Sequence, residues 1–219
     1  PLANYIGGST VVLTTDDLGG TGSGGPQQDL DTISLTWGAV NDAPVNAVPG
    51  PQATVEETPL TLAAASGNGL SVSDVDVSAA VIQLTLSTTN GTLTLGNPGL
   101  VSFSAGDGTA DPTMTFSGTL ANLNSALDAT VFAPNPDFAG TAVLTMTAND
   151  LGNSGSGGAK QDTDTVSITV SGVNDAPVNT VPGAQAPNED VARIFSLAPG
   201  TRIQVADGAA ASLQVTLSA

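Results

Sequence analysis

Carboxylates are almost the only side chains in this sequence that could do acid, base or metal chemistry. Its 219 residues contain 20 Asp and Glu against three Lys and Arg, with no His and no Cys. Without His or Cys, the usual nucleophile–base pairs and zinc sites are excluded. Carboxylate oxygens suit hard cations, and Ca²⁺ accepts six to eight oxygen ligands in irregular geometry. The inventory therefore favours cation binding over catalysis.

The spacing of the acidic residues places several of them at one end of a predicted β-hairpin. Asp162 and Asp164 are in phase with the apolar positions of the strand that they begin, and Asp150 is in phase with those of the strand that it ends. Since alternate side chains of a strand share a face, the hairpin carries three carboxylates towards one pole of its sheet. The same arrangement recurs earlier in the chain at Asp17, Asp29 and Asp31.

A further acidic pair, Asp74 and Asp76, continues the apolar phase of Leu70 and Val72. Carboxylates crowded at an apolar mouth repel one another and resist desolvation, at a cost on the order of several kcal/mol, unless a positive group lies among them. Basic side chains are too few to supply that charge, so we expect at least one Ca²⁺ site among these residues. The alternative is that the aspartates stay solvated in turns, without a metal.

The chain is built from copies of one unit, 133 residues apart. Residues 41–46 return unchanged as residues 174–179, and residues 17–56 match residues 150–189 at 26 of 40 positions. The offset predicts three parts: the C-terminal part of a preceding repeat at 1–40, a complete repeat at 41–173, and the N-terminal part of a following repeat at 174–219. The chain begins without Met and stops within a strand-like run, so we expect a segment of a longer protein.

Alternating apolar residues and abundant turn residues predict an all-β fold. The sequence contains 26 Gly and 14 Pro, only 3% of it is aromatic, and apolar side chains recur at every second position in short runs. Seven or more such runs within the complete repeat predict a β-sandwich, and Asn90-Gly91 predicts a tight hairpin. One stretch departs from this pattern, because apolar residues three and four apart predict a short helix, capped by Thr119, that bridges the two sheets.

Catalysis and recognition are the two rivals to a structural role. A two-carboxylate glycosidase remains formally open, but Tyr5 and Trp37 are the only Tyr and Trp available to stack on a sugar, and Trp37 is in phase with core positions. We therefore expect no enzyme. A repeat that itself binds a glycan or a protein is the stronger alternative, although so few aromatics favour a spacer. The net charge of −17 opposes nucleic acid and anionic lipid, and no apolar run is long enough to insert into a membrane.

Several motifs occur in an order that is typical of one family. They are a Gly-Thr-Leu-Ala-Asn-Leu-Asn run, a proline-rich turn, an Asp-Leu-Gly hairpin and an Asn-Asp-Ala-Pro linker, at 118–124, 134–141, 149–158 and 174–177. On these residues the chain resembles the cadherin-like tandem repeats of very large bacterial surface adhesins, often exported by type I secretion. The resemblance covers 41–173 fully and both flanks in part. It implies Ig-like, cadherin-like sandwiches that act as spacers on the cell surface, with neighbouring repeats as partners and any protein or glycan ligand bound through other domains.

In the cadherin pattern Ca²⁺ lies between successive domains, so the resemblance also implies metal ligands. For the junction at 41–45, the matching positions are Asn41, Asp42, Asp74, Asp76 and Asp150. For the next junction, they are Glu56 or Glu57, with Asp175 from the linker. The chain departs from the pattern in two ways, because it has no counterpart of the cadherin Asp-Arg-Glu motif and because only Asp207 remains of the third repeat's Asp-x-Asp pair. The second junction is therefore expected to bind metal weakly or not at all.

Overall fold

The structure is a computed structural model, and it describes residues 2–20, 22–77, 79–153, 155–196, 200–208 and 212–218. Within these ranges the chain forms the helix α1 (Leu120–Leu127) and short 3₁₀ turns at Ala64–Ser66 and Pro98–Leu100. The strands, in chain order, are β1 (Gly7–Asp16), β2 (Gln28–Trp37), β3 (Val45–Ala47), β4 (Gln52–Val55), β5 (Leu60–Leu62), β6 (Ser71–Ser73), β7 (Ile82–Thr88), β8 (Gly91–Thr94), β9 (Ser102–Ala105), β10 (Thr113–Gly118), β11 (Thr130–Pro134), β12 (Gly140–Asn149), β13 (Gln161–Ser171), β14 (Val178–Thr180) and β15 (Gln204–Ala206).

Two sheets enclose a core that belongs to the middle of the chain. The larger has the order β4-β13-β12-β7-β10-β9, and the smaller has the order β5-β11-β8. All neighbours in them are antiparallel except the pair β4 and β13. The buried aliphatic and aromatic side chains of the described residues form one cluster between Leu62 and Val170. The predicted all-β sandwich is confirmed, and its core lies wholly within 41–173.

The predicted tight hairpin at Asn90-Gly91 is wrong. Asn90 does take the left-handed conformation, at φ 56°, but β7 and β8 belong to different sheets. Gly91 pairs with Pro134 of β11, and a Cβ on Gly91 would lie 2.6 Å from the carbonyl oxygen of Ala133. The Asn-Gly pair therefore carries the chain from one sheet to the other, because the missing side chain of Gly91 lets its backbone approach β11 closely.

The helix α1 forms where the spacing predicts it and joins β10 of the larger sheet to β11 of the smaller one. Thr119 caps it by accepting a hydrogen bond from the Asn122 N–H, and its apolar face is buried in the core. On the same helix, Asn124 accepts from the Val72 N–H at 2.8 Å and donates to the Val72 carbonyl at 2.9 Å. The Asn124 side chain thus makes the two backbone hydrogen bonds with Val72 of β6 that a neighbouring strand would make. No helix in the described part of the chain is long and apolar enough to span a bilayer.

The flanking segments repeat local pairings of the complete repeat. Val45 pairs with Ser73 between β3 and β6, and 133 residues later Val178 pairs with Ala206 between β14 and β15. The hairpin of β1 and β2 likewise corresponds to that of β12 and β13, but Leu13 and Ile33 remain about 60% exposed in it (60% and 59%). The strand-like run 212–218 forms no strand and joins none of the sheets of the described residues.

Candidate metal centre at the repeat junctions

The linker residue Asn41 ties the first junction to the β12–β13 hairpin. Its side chain is fully buried, and its amide donates to Asp150 Oδ2 at 2.6 Å and to the Gly158 carbonyl at 2.9 Å. Its backbone N–H donates to the Ser156 carbonyl at 2.9 Å. The Asn41 side chain is thus in direct contact with Asp150, and this contact holds the linker against the glycine-rich turn.

Asp150 is a buried carboxylate that the protein itself satisfies. It is 0% exposed and also accepts hydrogen bonds from the Gly152 and Lys160 N–H groups, each at 2.8 Å. Burial alone would raise its pKa, but these N–H groups, the Asn41 amide and the Lys160 charge together hold the pKa of Asp150 below its ordinary value. Asp150 is therefore ionised at neutral pH without any metal.

Lys160 contributes a positive charge that the sequence reasoning did not assign to the junction. Its ammonium group donates a short hydrogen bond to the Asn41 carbonyl, and its charge also lowers the pKa of Asp150. Gln27 occupies the corresponding position of the preceding copy. Lys160 lies 119 positions from Asn41 in the sequence, so no local pattern connects the two residues. Only the fold shows that they are in contact.

Asp42, Asp74 and Asp76 form a second group at the same junction, beyond the end of β6. The Asp42 N–H donates a short hydrogen bond to Asp76 Oδ2, and the Asp76 N–H donates to Asp74 Oδ1 at 2.9 Å. All three residues are half-buried. Asp74 Oδ2 is buried, and no hydrogen-bond partner for it is found among the described residues. The junction therefore contains a desolvated carboxylate oxygen that nothing in the described chain compensates.

Asp162 forms hydrogen bonds with Asn46 of β3, directly after the first linker. Its Oδ2 accepts from the Asn46 N–H at 2.8 Å, and its carbonyl accepts from the Asn46 side-chain amide at 3.0 Å. Asn46 Oδ1 is a second buried oxygen without a partner in the described part of the chain. Asp164 is half-buried on the same face, opposite Met146 in the register. The predicted inward phase of both aspartates is present, and Asp162 fastens β3 to the larger sheet.

The preceding copy repeats the turn but not its burial. Asp17 accepts hydrogen bonds from the Gln27 and Gly19 N–H groups, each at 2.8 Å. Both bonds lower the pKa of Asp17, and the bond from Gln27 has the larger effect. Asp17, Asp29 and Asp31 are nevertheless exposed. The structure therefore does not bring these three predicted ligands into a buried group.

The second junction gathers a carboxylate that the sequence reasoning missed. Asp137, Asp175 and Asp207 line one recess there. Asp137 lies 133 positions after Asn4, and both take the left-handed conformation, at φ 56° and 60°. Asn4 in turn lines the recess at the first junction with Asp42 and Asp76. The repeat offset was the signal that could have found Asp137.

Glu56 and Glu57 differ in burial, because the first is buried and the second is exposed. Glu56 is 5% exposed, and its Oε1 accepts a short hydrogen bond from the Val173 N–H, immediately before the second linker. Glu57 is exposed, in a turn with φ 61°. Of the two glutamates that the resemblance implied for the second junction, Glu56 is the one whose side chain reaches the linker.

The junction carboxylates do not form a finished metal cage. Within the described residues, no three or more Asp or Glu side chains are gathered closely enough to hold a metal ion by themselves. Besides the aspartates, Asn41 brings a side-chain amide oxygen to the first junction, whereas its backbone carbonyl already accepts from the Lys160 ammonium. Carbonyl and amide oxygens are ordinary Ca²⁺ ligands, so the chemistry of this donor set fits a hard cation, with Asp74 Oδ2 as its uncompensated member.

No family model matches the sequence, and no curated protein matches it. The EC3-6 cis-dimer of protocadherin gammaB7 is a similar solved structure, at 17% identity and a TM-score of 0.34, over 92% of this chain and 43% of that one. The extracellular domain of protocadherin GammaB4 is similar at 19% identity and a TM-score of 0.37, over 92% and 29%. This chain spans less than half the length of either, and likenesses at this level assign it to no family.

Proposed function

We propose that this chain is an extension segment of a secreted bacterial cell-surface adhesin. Its sandwich repeats, divided at 1–40, 41–173 and 174–219, act as spacers, and Ca²⁺ stiffens the acidic junctions between them. The observation that carries the metal assignment is Asp74 Oδ2, which is buried beside Asp42 and Asp76 and has no hydrogen-bond partner among the described residues. The repeated linker and the repeated β3–β6 pairing support the spacer role.

At the first junction, Asn41, Asp42, Asp74 and Asp76 would hold the ion, with Asp150 behind Asn41. A divalent cation would supply the positive charge that the uncompensated carboxylates lack, because Lys160 is already engaged with the Asn41 carbonyl and Asp150. Desolvated carboxylates in this surrounding repel one another until a cation lies among them. The bound ion would therefore fix the linker relative to the strand end that follows β6.

At the second junction, Glu56, Asp137, Asp175 and Asp207 would provide the ligands. Only one aspartate remains there of the pair found at the first junction, since the position corresponding to Asp76 is Ala209, which lies outside the described residues. Fewer charged ligands lower the affinity for Ca²⁺. This junction would therefore bind the ion more weakly than the first and would be the more flexible of the two.

The acidic composition supports an extracellular setting. A net charge of −17 keeps neighbouring rods apart at the surface of a cell and suits fluids that are rich in divalent cations. Extracellular modules bind Ca²⁺ with dissociation constants of roughly 10⁻⁴ to 10⁻³ M. Host fluid or seawater would therefore keep the first junction loaded, and the rod would hold a distal binding domain away from the cell.

Solution scattering on two tandem copies of residues 41–173 tests the spacer role. With Ca²⁺ we expect an extended particle of well-defined maximum dimension, because the ion fixes the angle between the sandwiches. With EDTA we expect a shorter mean dimension and a broader distribution of distances. The matched control carries Asp74→Asn and Asp76→Asn at the junction and should give the EDTA profile in both buffers. A wild-type profile that EDTA leaves unchanged would contradict a metal-set rod.

A further inference from the structure

The first and the last strand of the sandwich lie side by side and run in the same direction. These strands are β4 and β13, and residues 52–55 of β4 pair in parallel with residues 168–171 of β13. At the end of this pairing, which we call the terminal ladder, the Glu56 N–H donates to the Ser171 carbonyl at 2.9 Å. Since β4 is an edge strand, β13 is its only neighbouring strand in the described part of the chain.

The register of the terminal ladder continues beyond both of its ends. The Asn46 N–H donates to Asp162 Oδ2 at 2.8 Å, and the Asn46 amide donates to the Asp162 carbonyl at 3.0 Å, across the same 116 positions that separate partners in the ladder. Past the other end, Glu56 Oε1 accepts a short hydrogen bond from the Val173 N–H. The segment 46–56 therefore follows β13 along nearly its whole length.

Parallel terminal strands give the repeat a defined response to tension along the chain. The chain from the first linker reaches the terminal ladder at Gln52, and it leaves the ladder towards the second linker at Ser171. When the two linkers are pulled apart, β4 and β13 are drawn past each other lengthwise, so the hydrogen bonds of the ladder are strained together. Antiparallel terminal strands would leave the ladder at one end, and their bonds would open one at a time.

The terminal ladder is also the first connection that such tension must break. On its other side, β13 pairs with β12 over residues 140–149, which is more than twice the length of its pairing with β4. Both β12 and β13 also bury an apolar face in the core. We therefore expect β13 to stay in the sheet while β4 is drawn along it, so the strength of the ladder sets the strength of the repeat.

We propose that the repeat has a second function, which is to bear tension along the chain, and that the terminal ladder is the element that resists this tension. The hydrogen bonds of Asn46 and Glu56 extend the ladder at its two ends. In the proposed adhesin, tension would arise whenever a distal domain is bound and the cell moves. The inference needs no metal, because the ladder consists of backbone hydrogen bonds within one repeat.

The alternative is that the pairing of β4 with β13 only closes the edge of the sheet. In that case the sandwich would resist a given force equally whether β4 is pulled at its first or at its last residue. A ladder that bears tension is instead strong when it is pulled lengthwise and weak when it is opened from one end. The dependence of the unfolding force on direction therefore separates the two.

Pulling the sandwich in two directions tests the proposal. The chain contains no Cys, so pairs of introduced Cys residues can attach the two handles of an optical trap. One variant carries Gly50→Cys and Val173→Cys, and it is pulled lengthwise along the terminal ladder. The other carries Thr58→Cys and Val173→Cys, and it is pulled from the end at which both strands stop. All three positions are exposed, and a Cβ on Gly50 would meet no atom within 4 Å.

Both variants are pulled as the 219-residue chain in EDTA, so that no metal contributes. We expect the lengthwise pull to need at least twice the force of the other pull at the same pulling speed. Each rupture should lengthen the chain by about 400 Å, the extended span of the residues between the handles, which identifies it as unfolding of the sandwich. Urea unfolding is the control, because forced unfolding follows the unfolding rate and not the equilibrium. The two variants should have equal free energies of unfolding.

A lengthwise force that is equal to or lower than the other force would overturn the proposal. A lengthwise pull that extends the chain gradually, without a single rupture, would also overturn it. Neither result would affect the proposed spacer role, which concerns the metal-dependent angle between repeats and is tested by scattering. Conversely, a scattering profile that EDTA leaves unchanged would not alter the expected dependence of the unfolding force on direction.

Discussion

Replacement of Asp150 by Ala is expected to lower the free energy of unfolding by about 3–5 kcal/mol. The substitution removes a fully buried acceptor and leaves three donors unpaired: the Gly152 N–H, the Lys160 N–H and the Asn41 amide. It also leaves the Lys160 ammonium beside them without its opposite charge. Urea unfolding, followed by circular dichroism in EDTA so that no metal contributes, measures the loss.

Asp17→Ala is the matched control for this substitution. Asp17 accepts the same two backbone hydrogen bonds one repeat earlier, but it is exposed, so water can replace its contacts. We therefore expect a much smaller loss of unfolding free energy than for Asp150→Ala. Similar losses for the two variants would mean that the shared turn, and not the burial of Asp150 against the linker, provides the stabilisation.

The contribution of Asp150 also has a defined dependence on pH. Its pKa is lower in the folded protein than the ordinary value of 3.8, so the folded state favours the ionised form. The stabilisation is therefore present in full above about pH 4 to 5 and is lost as the pH falls through the folded pKa. The difference between wild type and Asp150→Asn should accordingly shrink in acid. A difference that grows as the pH falls would contradict this assignment.

Asp74→Asn is expected to weaken Ca²⁺ binding at the first junction by at least tenfold. Asn keeps an oxygen that can accept from the Asp76 N–H, but it removes the negative charge of the one buried carboxylate oxygen without a partner among the described residues. Fewer charged ligands raise the dissociation constant. Titration calorimetry on the 219-residue chain measures the change directly, and the loss of Ca²⁺-dependent stabilisation should be about 1.4 kcal/mol for each tenfold weakening.

The stability of Asp74→Asn in EDTA separates a metal ligand from a structural residue. Because the wild-type charge is uncompensated without metal, its removal should leave the unfolding free energy unchanged or raise it. Asp107→Asn is the control, since Asp107 is an exposed acidic residue in a loop of the same sandwich and should alter neither quantity. Destabilisation of Asp74→Asn in EDTA with Ca²⁺ affinity unchanged would show that Asp74 serves the fold alone.

The strands and their faces could be predicted because a period of two encodes them locally. The burial of Asp150 and the half-burial of Asp162 and Asp164 follow directly from their phase with the apolar residues of β12 and β13. Which strands pair with each other depends on residues that are far apart in the sequence. The Asn90-Gly91 pair therefore gave a wrong prediction of a hairpin between β7 and β8. A positive φ predicts a turn but does not determine whether the chain returns to the same sheet or crosses to the other.

The chemistry of the junctions was only partly accessible for the same reason. Asn41, Asp42 and Asp76 were found through a motif, whereas Lys160 and Asp137 reach the junctions across more than 100 and about 40 positions of sequence, respectively, and no local pattern indicates them. Trp37 shows the converse limit. Its phase predicts burial, whereas in the structure its side chain is half-buried and lines a recess beside Tyr5.

The central claim is that a divalent cation binds among the carboxylates of the first junction. Crystals of the chain grown in Ca²⁺ and measured at a long X-ray wavelength, where calcium scatters anomalously, test it most directly. We predict an anomalous peak within about 2.3–2.6 Å of oxygens from Asp42, Asp74 and Asp76. A map without a peak at this junction, or with its only peak at a site such as the exposed loop of Asp107 and Asp111, would contradict the claim.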